Sequence, residues 1–326
     1  MQYNKCPLKY FPSKHVKYKI LANKNIVEKR FLHQSTMLFR RFRINFSDGF
    51  SFGFLAVSVV SVFIFEILIV LPEVEKRQNV VYIHSIIGSF IFISILGNLA
   101  KVILTDTSTK RIMLPSLLKP LWHFCSMCEA NAPPRTHHCD RCNCCILKRD
   151  HHCAFAGRCI GLKNFRFFLV FLFYLSIGCF YASMFNMYFI WDYLGGFSLY
   201  SVVCHIVPFV FFIFGYLSFR VFIYTLLSVL ALISGLLVFN LFILHARQML
   251  SNQTTFERNN SIKTYDLGWK RNIVECLGEK WYMTLISPFF DSVLPSDGLS
   301  FSTNLNSNTV LPESYALNQN VRHRHV

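Results

Sequence analysis

Eight of the chain's twelve cysteines fall between Cys125 and Cys159, interleaved with His137, His138, His151 and His152. The run reads Cys125-x2-Cys128, His137-His138-Cys139-x2-Cys142, Cys144-Cys145, Asp150-His151-His152-Cys153 and Cys159. Thiolates and imidazoles at two-residue spacing are the donors of closed tetrahedral zinc sites in a reducing compartment. Each site takes four ligands, so two zinc ions use eight of the twelve candidates and leave a surplus. One division interleaves the two sites, each combining a Cys-x2-Cys pair or its equivalent with later ligands. Within the surplus, Asp150, His151 and Cys153 form an acid–base–nucleophile set. A thiolate attacks, an adjacent imidazolium lowers its pKa, and a carboxylate fixes the imidazole tautomer. Spacing alone leaves this open, since all three residues also read as ligands or solvated loop residues.

These residues need a scaffold, and the composition says which kind. Of 326 residues, 53% are apolar, 16% aromatic and 15% charged, against roughly 25% charged in a soluble domain. A chain with 35 Phe cannot hide its apolar surface in an aqueous fold, which excludes a cytosolic enzyme. The net charge of +16 fits Lys and Arg that orient a membrane protein, and nucleic acid is not an expected partner. Stretches long enough to cross ~30 Å of hydrocarbon run over Phe50 to Leu71, ending at Pro72, and over Val80 to Ala100, Phe167 to Ile190 and Val221 to Leu244. The first 48 residues hold eleven Lys/Arg and two acids, and Lys101 to Arg166 hold eleven and four. Both segments are therefore expected on the cytosolic side. The apolar stretch Leu199 to Phe219, interrupted by Pro208, reads as a luminal or re-entrant hairpin, or as part of a long tilted helix. Glu66 is a functional candidate by default inside a span, whereas His84, Asn98 and His205 read as interhelical or interfacial hydrogen-bonding groups.

The expected fold is an all-α polytopic membrane protein, with four transmembrane helices and a cytosolic zinc-binding cysteine-rich domain between the second and third. Its parts are a basic cytosolic N-terminus (1–48), two helices (49–104), the zinc domain (105–166), two helices with a luminal segment (167–246), a cytosolic C-terminal segment (247–297) and a Ser- and Asn-rich tail (298–326) expected to be disordered. A nucleophile tethered at the membrane on both sides suits a lipid-bearing substrate.

The run Cys125 to Phe168 resembles the cysteine-rich domain of the zinc-finger DHHC-type palmitoyltransferases. The resemblance rests on Asp150-His151-His152-Cys153, Cys159, Gly161, Asn164 and the aromatic start of the third span. It continues in Thr254-Thr255-Phe256-Glu257, like the family's Thr-Thr-x-Glu motif, and in Tyr265-Asp266-Leu267-Gly268, Asn272 and Gly278. It implies a protein S-acyltransferase that moves a fatty acyl group from acyl-CoA, such as palmitoyl-CoA, to cysteines of membrane-associated proteins. It also implies two structural zinc ions, one on Cys125, Cys128, His138 and Cys145 and one on Cys139, Cys142, His152 and Cys159. Cys153 becomes the acyl-accepting nucleophile, His151 its base and Asp150 the orienting carboxylate, with Cys144 and His137 unassigned. Arg135, Arg141, Lys148 and Arg149 are candidates to meet CoA phosphates. The implied setting is the endoplasmic reticulum or Golgi, with the zinc domain and both termini cytosolic. The sequence departs from the family where Ala154-Phe155 replace its usual Pro-Trp, where Arg158 replaces Asn, and where Asp106-Thr107-Ser108 replace Asp-Pro-Gly. These departures bear on rate and acyl-CoA positioning, and they keep a membrane-anchored zinc adapter without catalysis as the alternative.

Overall fold

The computed structural model describes residues 46–75 and 78–304, with Gln78 placed by its backbone alone. Most of the basic segment 1–48 and the tail beyond Asn304 lie outside the described residues. Among the described residues, four helices are long and apolar enough to cross a membrane: α1 (Phe46–Val74), α2 (Gln78–Leu104), α3 (Phe165–Tyr193) and α6 (Phe219–Leu250). Hydrocarbon cannot satisfy a backbone N–H or C=O, so Phe- and Val-rich segments that would suit a strand elsewhere become helices here. Each helix outruns its apolar stretch, because the hydrogen-bond ladder continues into the polar interface. In α1 the chain passes through Pro72 instead of ending there. A π turn over Glu66–Val70, closed by the Leu71 N–H on the Glu66 carbonyl, shifts the ladder just before the residue that cannot donate to it. Helix α3 is the most buried span and packs chiefly against α6 and α2.

Between α3 and α6 lie two short helices, α4 (Leu199–Ile206) and α5 (Pro208–Ile213), broken at Pro208 and too short to span. Ser198 and Ser201 cap α4 reciprocally. His205 Nε2 lies 2.9 Å from Ser228 Oγ on α6, and His84 bonds the Tyr181 hydroxyl on α3; both bonds cross between helices, as expected. Asn98 instead donates to the Ser94 carbonyl one turn back on its own helix.

The cysteine-rich segment is not helical. It forms three antiparallel hairpins, β1–β2 (His123–Cys125, Ala130–Ala132), β3–β4 (His137–Cys139, Cys144–Ile146) and β5–β6 (His151–Cys153, Arg158–Ile160). The segment Asp106-Thr107-Ser108 docks on them by backbone contacts. Leu147 N donates to the Thr107 carbonyl at 3.0 Å, and Ser108 bridges to Ile146. Gly161 crosses at close range, where a Cβ would sit 2.6 Å from the Leu147 carbonyl oxygen. Asn164 joins the hairpins to the spans, donating to the carbonyls of Val102 and Cys159.

Beyond α6 come three short helices, α7 (Thr255–Asn259), which meets the third hairpin through Thr255 and Asp150, α8 (Trp269–Leu277), which packs on α6, and α9 (Trp281–Ile286), whose Leu285 carbonyl accepts from Tyr174 on α3. Residues 298–304, expected to begin a disordered tail, are packed: Phe301 contacts Tyr265, and Asn304 N donates to the Thr264 carbonyl. The main fastening is the Arg135–Glu257 pair. Arg135 makes two 2.7 Å hydrogen bonds to the Glu257 carboxylate and a third to the Asn252 carbonyl, and its guanidinium stacks over Tyr265. Neither side chain is exposed beyond 2%. The expectation that Arg135 meets a CoA phosphate gives way to this role, since burial and a bidentate carboxylate leave it no reach to a soluble phosphate. Glu257→Ala strands a buried guanidinium and should cost about 3–5 kcal/mol, read from chemical denaturation of the detergent-solubilised chain. A loss under about 1 kcal/mol, typical of an exposed pair, would contradict this.

Candidate active site

The three hairpins repeat one plan. Cys125, Cys139 and Cys153 are fourteen residues apart and each ends the first strand of its hairpin. The following turns close on Glu129, Asn143 and Gly157, all with positive φ. The first two hairpins carry a second thiol in the turn, Cys128 and Cys142, where the third has Ala156. The preceding strand residues His138 and His152 and the paired strand residues Cys145 and Cys159 repeat at the same interval. Each hairpin's turn thiols therefore meet the His and Cys of the next hairpin. Cys125, Cys128, His138 and Cys145 form one cluster, Cys139, Cys142, His152 and Cys159 the other, with ligand atoms within 4.8 Å in each. Cys153 stands where a third cluster would begin, but no fourth hairpin follows and Ala156 replaces its partner. Its thiol is left out of both clusters.

The donors fit zinc. Tetrahedral bonds of about 2.3 Å to sulfur and 2.0–2.1 Å to nitrogen imply S···N separations of roughly 3.6 Å and S···S of about 3.8 Å. The observed separations are 3.8 and 3.2 Å from His138 Nδ1 to Cys125 and Cys128. In the second cluster they are 3.6, 3.3 and 3.7 Å from His152 Nδ1 to Cys139, Cys142 and Cys159, and 3.6 Å between Cys142 and Cys159. The crowded donors also compete for protons. Hydrogen bonds with Cys142 and Cys159 hold Cys139 far below an ordinary thiol, while bonds to Cys139 and Cys142 drive Cys159 up. Burial raises Cys145 and Cys128 in the first cluster. A bound cation resolves that competition by replacing the protons. Cys144 and His137 join neither cluster; burial pushes the Cys144 thiol up to about 11, and the His137 ring lies against Phe256.

His152 has a second attachment that spacing could not reveal. Its Nε2 lies 3.0 Å from Asp48 Oδ2, while Asp48 Oδ1 accepts from Arg141 at 2.9 Å. Asp48 is buried at the start of α1, 104 residues earlier in the chain. A carboxylate behind a ligating imidazole fixes its orientation and raises its basicity.

Successive residues of a strand face opposite ways, so β5 sends His152 to the second cluster and presents His151 and Cys153 together on the other face. His151 Nδ1 lies 2.7 Å from Asp150 Oδ2. Asp150 is held in turn by the Thr255 backbone N–H at 2.7 Å and hydroxyl at 3.1 Å, with Gln248 donating to that hydroxyl at 3.0 Å. Burial opposes charge on Asp150 and His151, but their mutual hydrogen bond outweighs it. Asp150 stays below its ordinary value, and His151, also bonded to Cys153, is pushed up to about 9. Cys153 is half-buried and packs on a cluster drawn from all four spans, including Phe52, Leu99, Phe171 and Phe242.

The expected residues thus gather as two clusters and one face on which His151, bonded to Asp150, stands beside Cys153. Each of the candidate CoA-binding bases is already engaged by other side chains. Lys148 is half-buried, donates to Asn252 Oδ1 at 2.7 Å, and is held below its ordinary value by loss of solvation. Arg149 is half-buried beside the thiols of Cys159 and Cys139. Asp48, His245 and Gln248 belong to the site without a sequence signal. The freedom of Cys153 did have one, in the fourteen-residue repeat that lapses at Ala156.

Comparison with known proteins adds an independent line. The family model for the DHHC palmitoyltransferase domain matches residues 119–262. The probable palmitoyltransferase ZDHHC24 of Danio rerio is 37% identical over 221 residues, covering 67% of this chain and 75% of that protein. Its Homo sapiens counterpart is 31% identical over 219 residues, covering 67% and 77%. The palmitoyltransferase ZDHHC22 of Rattus norvegicus is 25% identical over 257 residues, covering 73% and 90%.

Removing the carboxylate behind His152 should loosen only the second cluster. Asp48→Ala is expected to weaken zinc retention there by about 10–100-fold, leaving the first cluster unchanged. Chelator competition on the purified full-length chain checks this. Two equally tight clusters in the variant would contradict it.

Proposed function

The chain belongs to the DHHC palmitoyltransferase family, and from that premise we propose that Cys153 carries the acyl group, with His151 as its base and Asp150 orienting His151. The protein is a multi-pass membrane protein S-acyltransferase. The observation that carries the residue roles is the placement of Cys153. It shares a strand face with the Asp150-bound His151, turned away from both metal clusters and packed on the apolar interior of the spans.

In the first half-reaction the Cys153 thiolate attacks the carbonyl carbon of the acyl-CoA thioester. The bond from carbonyl carbon to CoA sulfur breaks, and the departing thiolate takes the proton from the His151 imidazolium. In the second, His151 accepts the proton of a substrate cysteine, whose sulfur attacks the acyl-enzyme and expels Cys153 as thiolate. Asp150 keeps Nδ1 protonated through both halves, leaving the other nitrogen to trade protons with sulfur. The apolar side chains beneath Cys153 suit a fatty chain laid between the spans. Two zinc ions would sit on the Cys125–Cys128–His138–Cys145 and Cys139–Cys142–His152–Cys159 sets, where they supply folding free energy to the hairpins and no chemistry. The excess of Lys and Arg in 1–48 and 101–166 supports a cytosolic zinc domain, where protein substrates present cysteines near the membrane, in the endoplasmic reticulum or Golgi. Ala154, in place of the family's usual Pro, leaves the backbone beside the nucleophile freer, so the transfer is expected to be slow.

Metabolic labelling with a clickable fatty acid tests the nucleophile: a hydroxylamine-sensitive label is expected on the wild type and absent from Cys153→Ala. Equal labelling of both would move the acyl group to another cysteine. The adjacent histidines separate base from ligand. His151→Ala should keep its metal and acylate about 10²–10⁴-fold more slowly, whereas His152→Ala should lose zinc. Equal zinc loss in both would make His151 a ligand and end the catalytic reading.

A further inference from the structure

The catalytic face has a neighbour from the last span that the transfer chemistry does not use. His245 lies near the end of α6, only 5% exposed, with its ring stacked on that of His151 at 5.3 Å between centroids and 27° between planes. Its Nδ1 is 3.7 Å from Asp150 Oδ2, beyond hydrogen-bond range, and that nitrogen has no hydrogen-bond partner. At that distance the nitrogen offers Asp150 a charge contact and no hydrogen bond that could hold the geometry. What the ring supplies is a flat surface. Phe168 meets the edge of both rings, at 5.3 Å from His151 and 5.1 Å from His245, and Phe165 flanks His245 at 6.2 Å.

We propose that His245 is a positioning residue for the transfer reaction: its ring sets the plane of the His151 imidazole, holding one nitrogen on Asp150 and the other toward Cys153. The inference rests on His151 being the base. The physical need is plain, because the outer torsion of a histidine is broad and roughly two-fold. One hydrogen bond to Asp150 fixes a point on the ring and leaves it free to pivot about that point. A stacked ring on one side, with Phe168 edge-on beside it, removes the pivot. Helix α6 can deliver that ring because its 32 residues extend about 48 Å, well beyond the ~30 Å hydrocarbon core. The same overhang carries Gln248 to Thr255, so Asp150 and His151 are braced from one helix end.

The test uses the purified full-length protein in nanodiscs with palmitoyl-CoA, following acylation of Cys153 and zinc content in His245→Ala, His245→Phe and His151→Ala. His245→Ala should slow acylation at saturating acyl-CoA by roughly 10–100-fold, with half-saturation and zinc content close to wild type, since ring orientation matters after binding. His245→Phe, which keeps the plane and drops both nitrogens, should recover most of the rate. Wild-type acylation in His245→Ala overturns the proposal, as does His245→Phe as slow as His245→Ala. Zinc loss in both His245 variants makes the residue a structural prop and overturns it too. If His151→Ala itself acylates at the wild-type rate, the base assignment falls independently of His245.

Discussion

A three-residue strand cannot hold a hairpin together, and three such hairpins side by side have almost no apolar core between them. The pairing of one hairpin's turn thiols with the next hairpin's His and Cys takes the place of that core. Once His152 must face the second cluster, the pleat of β5 decides the rest, since His151 and Cys153 can then only face the other way. The face that carries His151 and Cys153 is thus a geometric consequence of the face that joins the second cluster. Cys153 stands outside both clusters, at the point where the repeat of turn thiols stops at Ala156.

Such a small platform needs anchoring against the spans, and the anchors are buried polar groups. Asp48 reaches from α1 to His152, Asn164 ties Val102 and Cys159 together at the start of α3, and Thr255 holds Asp150 from α7. The Arg135–Glu257 pair fixes the C-terminal segment across the hairpins. Each contact is strong because it is dry, and each is costly to break for the same reason. Together they join four distant parts of the chain to the few residues around Cys153.

The chemistry gains from standing on this boundary. The thiol faces an apolar interior suited to a fatty chain, while Asp150 and His151 keep their charges by bonding each other against the pull of burial. Helices α3 and α6 begin or end in the same place, so the aromatic rings of Phe165, Phe168 and His245 that close around His151 come from the ends of two spans.

Local chemistry was legible in the sequence because it is written in residue type and short spacing. Twelve Cys and His donors in one loop called for metal, long apolar runs called for helices, and Asp150-His151-His152-Cys153 set a thiol beside an imidazole and a carboxylate. The two polar-group expectations at His84 and His205 needed only the rule that a lone polar side chain in a span finds a partner. What the sequence could not supply was the pairing of groups far apart along the chain. Asp48 carries no mark of its distance to His152, and nothing in the residues around His245 marks its distance to His151. Arg135 looked like a phosphate-binding base until folding buried it against Glu257. Such contacts depend on where helix ends and hairpin faces meet in space, and only the tertiary structure decides that.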